Sequence, residues 1–176
     1  MSSPSDSPAP FVLFDFRDPA AAAAWFAIDD GVMGGRSRSG LVSTADGTAL
    51  FAGVVSLENG GGFASVRAAN PGPNLTAYAA LRLRLRGDGH TYKLSLKSTR
   101  DFDGVLYQAS FATIADTWEE FDIPFDGFRP TFRGRPVPQA GPLDRARIET
   151  IGFMISEKQA GPFRLEIARI AAVGGS

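Results

Sequence analysis

The side chains best suited to chemistry in this 176-residue sequence fall in two glycine-rich stretches. The first, Trp25–Ser39, reads WFAIDDGVMGGRSRS. Asp29 and Asp30 are adjacent carboxylates, groups that do acid–base work or ligate a hard cation. Neither this pair nor Asp101-Phe102-Asp103-Gly104 has the spacing of an EF-hand loop, so Asx turns and caps are the expectation, with a structural Ca²⁺ site kept as an alternative. The second stretch, Glu58–Arg67, reads ENGGGFASVR. Nucleophilic catalysis needs a base beside a hydroxyl or thiol. There is no cysteine, and the single histidine, His90, falls in a predicted Gly-His-Thr turn and is read as a solvated surface residue. No GxxxxGK[ST] phosphate loop occurs, and no strand–glycine loop–helix order supports a dinucleotide fingerprint. An enzyme using Asp29 or Asp30 as acid or base is the weakest of three functional readings.

Binding chemistry is better supplied. Exposed aromatics beside hydrogen-bonding groups make ligand platforms, and Trp25, Tyr107, Trp118, Asn59, Arg67 and Gln108 are candidates. Core packing is the expectation for Trp25 and Trp118. Phe63, beside three glycines, is a candidate anchor. Arg67 has two readings of equal weight: an interface anchor, or an ion pair with a carboxylate such as Asp30 that locks the loops together. The Arg82/Arg84/Arg86 row is expected to be a solvated strand face. The candidate binding rim is therefore Trp25, Asp29, Asp30, Met33, Gly34, Gly35, Ser37, Asn59, Gly61, Gly62, Phe63, Ser65, Arg67, Tyr107 and Gln108. No catalytic residue, metal ligand or cofactor is assigned.

Short strands must position these residues. Phe11–Phe16 reads as a buried first strand, and Asp18-Pro19 as the N-cap and first residue of a helix over the alanine run 20–24. Ser37–Thr44 and Thr48–Leu57 read as a hairpin across Ala45-Asp46-Gly47. The glycine loops, one on each side of this hairpin, are expected to be neighbours. Leucine–arginine alternation over Leu81–Arg86 predicts a strand with one buried face, and the same period recurs over 92–97 and 105–111. Phe125, Phe128 and Phe132 are assigned to a connection running to about Pro142. Ile148–Ile155 and Phe163–Ile167 close the chain. About ten short strands with little helix predict an all-β jelly-roll sandwich. Residues 1–10, rich in Ser and Pro, are read as a disordered leader and 11–172 as one domain. The net charge of -1 gives no electrostatic footprint for nucleic acid, and no apolar run approaches the ~18 residues of a membrane span.

Four segments in order, the WxxxDDGVMGGRSRS stretch, ENGGGFASVR, PFDGFRPTFRG (Pro124–Gly134) and IGFMISEKQAGPFRLEIARI (Ile151–Ile170), resemble the complex I intermediate-associated protein 30 family. The resemblance implies a galactose-binding-like sandwich, similar to some carbohydrate-binding modules, and a non-enzymatic role in respiratory complex I assembly. Its implied partners are NADH dehydrogenase subunits or assembly intermediates, and the glycine-loop rim is the expected place where a protein partner is held. The expected location is the cytoplasm, with a place at the periphery of the inner membrane as an extension. A carbohydrate- or small-molecule-binding module is the alternative.

Overall fold

The computed structural model describes residues 8–27, 38–57, 62–70, 74–98, 104–132, 135–156 and 159–174. Among these, thirteen strands form two antiparallel sheets, giving the jelly-roll sandwich the alternation predicts.

The long strand β13, Gly161–Val173, is the spine of the six-stranded sheet. Its first half pairs with β4 (Ala49–Val55) and its second half with β1 (Phe11–Asp15), while β6 (Ala80–Arg86) runs along the other side. β3 (Arg38–Ser43) closes one edge and β9 (Trp118–Pro124) the other. A register shift in β1 between Val12 and Phe14 turns Leu13 and Phe14, consecutive residues, both into the core. The hairpin β3–β4 turns where expected, and Gly47 takes the positive φ of 75° that the Asp-Gly signal anticipates.

The seven-stranded sheet runs β11 (Arg135–Pro136), β10 (Arg129–Phe132), β8 (Leu106–Ala112), β7 (Thr91–Lys97), β12 (Thr150–Ile155), β5 (Ala64–Ala69) and β2 (Phe26–Ala27). The helix α1, Pro19–Ala23, starts as read: Asp18 accepts a hydrogen bond from the Ala20 amide and Pro19 is the first helical residue.

Between the sheets, Phe14, Phe16, Trp25 and Phe153 make one aromatic cluster, with Trp25 centroids 5.0 Å from Phe14 and 5.7 Å from Phe153. Phe51, Tyr92, Phe111 and Phe163 make another. Trp25 is thus a core residue. Trp118 corrects its expectation: it stands on the outer face of the six-stranded sheet, with the Arg84 and Arg86 guanidiniums 5.4 and 5.2 Å from its ring centroid. His90 is likewise half-buried instead of solvated, its Nδ1 2.9 Å from Asp88 Oδ2. The segment after Pro124, read as a connection, contains a 3-10 turn (Phe125–Gly127) and the short strands β10 and β11.

Candidate functional site

Strand alternation decides which side chains leave the core. In β7, Tyr92, Leu94 and Leu96 point inward, so Lys93, Ser95 and Lys97 face outward. Cross-strand register then builds a row across five strands. Ser95 stands opposite Gln108 on β8 and Gly152 on β12. Gly152 stands opposite Arg67 on β5, and Arg67 opposite Phe26 on β2. The row reads amide, hydroxyl, bare glycine, guanidinium, phenyl. A neighbouring row on the same face runs Ser110, Lys93, Met154, Ser65.

The polar end of the row is preorganised. Gln108 Nε2 donates to Ser95 Oγ at 3.1 Å and reaches Met154 Sδ at 3.5 Å, while its Oε1 lies 3.0 Å from the Thr131 hydroxyl. Gln108 is 8% exposed and Lys97 1%, and Ser65 and Ser95 are also buried, although all four lie outside the sandwich core. The Gln108 amide thus has little rotational freedom left to lose when a ligand arrives. Gly152 is needed for packing: a Cβ there would stand 2.8 Å from the Val66 carbonyl oxygen. At the other end, burial lowers the Arg67 guanidinium from its ordinary pKa, which still leaves it charged at neutral pH. Beside it Phe26 is 53% exposed.

Of the candidate rim residues, Ser65, Arg67 and Gln108 share this face. Tyr107 points the other way, its hydroxyl donating to the Gly141 carbonyl at 3.1 Å and tying down the 140–142 backbone. Trp25 lies in the core. Gly62 and Phe63 lead into β5, Gly62 at a φ of 139°. Asp29, Asp30, Met33, Gly34, Gly35, Ser37, Asn59 and Gly61 lie outside the described residues, as do Asp101 and Asp103, so the neighbouring of the glycine loops and the Asp30 pairing of Arg67 lie there too. The described strands flanking these loops do pair: β2 with β5, and β3 with β4. The sequence reading assigned none of Phe26, Ser95, Lys97, Met154 and Gly152 to the binding site. The KLSLK alternation of β7 marks three outward positions, and a lone glycine inside the apolar run Ile151–Ile155 marks a close backbone approach, so two signals were available.

Among the described residues, no group of three or more His, Cys, Asp or Glu gathers, and no helix is long and apolar enough to cross a membrane.

The two antiparallel sheets make a β-sandwich, a fold that carbohydrate-binding modules share. The fold is similar to the family 11 carbohydrate-binding module from Clostridium thermocellum in complex with a beta-1,3-1,4-mixed-linked tetrasaccharide, with a TM-score of 0.71 and 17% identity over 94% of this chain and 96% of that one. The family model for complex I intermediate-associated protein 30 matches residues 14–167, and the chain belongs to that family. It is 28% identical, over 89% of its length, to the mitochondrial complex I intermediate-associated protein 30 of Mus musculus, and equally to that of Drosophila melanogaster. The alignments cover 54% and 60% of those proteins, so the chain spans little more than half the length of these relatives.

Proposed function

We propose that this chain is a non-enzymatic assembly factor that holds a protein partner, a NADH dehydrogenase subunit or assembly intermediate, against the β2–β5 end of its seven-stranded sheet. The observation that carries the proposal is the pairing of exposed Phe26 with the half-buried guanidinium of Arg67 on one sheet face. Aromatic and arginine side chains dominate protein interface energetics, and a phenyl group beside a partly desolvated cation offers both apolar area and directed hydrogen bonds. Family membership supplies the class of partner. The working location is where membrane-bound NADH dehydrogenase presents its subunits, and the chain meets it peripherally.

A second reading, glycan binding, draws support from the Ser95–Gln108 hydrogen-bonding groups on the same face and from the module-like fold. Sugar platforms rely on stacking aromatics, and among the described strand residues on this face Phe26 is the only aromatic. The protein reading is therefore preferred. Titration with mixed-linked glucan separates the two, since saturable binding lost in Gln108→Ala but retained in Phe26→Ala would transfer the face to sugar.

A further inference from the structure

The PFDGFRPTFRG segment forms a feature that the sheet-face reading leaves unused. Its Phe125, Asp126 and Arg129 meet Pro142, Leu143 and Arg145 around an open depression of about 360 Å³. The rings of Phe125 and Phe128, 6.3 Å apart, stack below it. Tyr107, fixed in the core, holds the 140–142 backbone that forms its far wall. Gly141 has a φ of 79°, and a Cβ there would point into open space.

Two guanidiniums border the depression, and both are oriented by carbonyls. Arg145 Nη1 donates to the Tyr78 carbonyl at 2.6 Å while its plane lies 5.7 Å over the Phe125 ring. Arg129 Nη1 donates to the Asp126 carbonyl at 2.6 Å. Among the described residues, neither makes an ion pair with a carboxylate, so each keeps N–H groups to offer to a partner's carboxylate. Among the described lining residues Asp126 is the one acid, against the two arginines.

We infer that this depression receives an acidic side chain, Asp or Glu, flanked by an apolar residue on a protein partner. The carboxylate meets Arg129 and Arg145, and the apolar neighbour covers Leu143 and the proline wall. A free small molecule is disfavoured because Asp126, Arg129, Pro138 and Pro142 are exposed, so the site encloses too little of a lone ligand. A side chain carried by a partner draws the rest of its contact area from elsewhere. This inference rests on the protein-binding reading but concerns the β10 end of the sheet, opposite the β2–β5 end.

The test is titration of the ¹⁵N-labelled full chain with the blocked tripeptide acetyl-Leu-Glu-Leu-amide and its Gln counterpart at millimolar concentration, followed by amide shifts. Shifts confined to amides near 125–129 and 141–145, weakened about tenfold by Gln in the peptide and by Arg129→Ala or Arg145→Ala, are expected. Arg147→Ala, an exposed neighbour outside the depression, should bind as wild type. Melting curves accompany each variant. If Arg145→Ala unfolds through loss of its Tyr78 contact, Arg129→Ala decides. Equal response to both peptides, shifts elsewhere, no shifts, or wild-type binding by folded Arg129→Ala overturns the inference. Partner capture that depends on Phe26 while these shifts are absent removes the depression and leaves the sheet-face reading standing.

Discussion

Gly152 shows how much a single residue of the sheet face is constrained. The 2.8 Å approach of its would-be Cβ to the Val66 carbonyl cannot be relieved by a rotamer change, because the obstacle is backbone. Gly152→Ala should cost about 1–3 kcal/mol, read as a lowered melting temperature. Asp88 is constrained by its donors. It accepts from Tyr92 Oη at 2.9 Å, from the Arg164 amide at 2.7 Å and from the His90 amide at 3.2 Å, tying the β6–β7 turn to β13. Burial pushes its pKa up, but hydrogen bonds from His90, the Arg164 amide and Tyr92 outweigh that and hold it below its ordinary value of 3.8. A depressed folded pKa contributes stability above the unfolded value, which is lost as pH falls through the folded one. Wild type should therefore lose melting temperature more steeply than Asp88→Asn on acidification below about pH 4. At neutral pH Asp88→Asn should be less stable by about 2 kcal/mol. Asp15 and Asp122 are also lowered, chiefly by hydrogen bonds from Arg17 and Arg82, but stand in solvent, where screening weakens their contribution.

At the scale of elements, Arg82 and Arg86, both on the outer face of the six-stranded sheet, make ion pairs of unequal worth. Arg86 reaches Glu166 at 3.0 Å, and the Glu166 side chain is 4% exposed. Arg82 reaches Asp122 at 2.7 Å with both side chains in solvent. Arg86→Ala strands a buried carboxylate and should cost about 3 kcal/mol in denaturant unfolding, whereas Arg82→Ala should cost no more than about 1 kcal/mol. Equal costs would show that burial does not separate these pairs. The leucine–arginine alternation of β6 made this strand and its wet face readable from sequence, because its period is local. Trp118 was misassigned to the core because the arginines that flank it lie across a strand pair, more than thirty positions away in the chain. β10 and β11 were missed because their prolines suppress the strand signal while still permitting edge pairing.

For the whole molecule, the sandwich was legible because each half-buried strand announces its own period, and Asp-Gly and Pro-Gly punctuation separates the strands. The candidate face was legible only in part. Ser65, Arg67 and Gln108 stood out by chemistry, but their assembly with Ser95, Gly152 and Phe26 depends on registers between strands remote in sequence. No local pattern encodes those registers. The central claim is that the Phe26–Arg67 end of this face holds a protein partner. Its most direct test is tagged capture from native, detergent-solubilised membranes with quantitative mass spectrometry, comparing wild type, Phe26→Ala, Arg67→Ala and, on the opposite sheet, Arg82→Ala. Enrichment of NADH dehydrogenase subunits by wild type and Arg82→Ala, reduced at least about tenfold in folded Phe26→Ala and Arg67→Ala, is the predicted result. Equal capture by all four proteins, or no enrichment of those subunits by wild type, would contradict it.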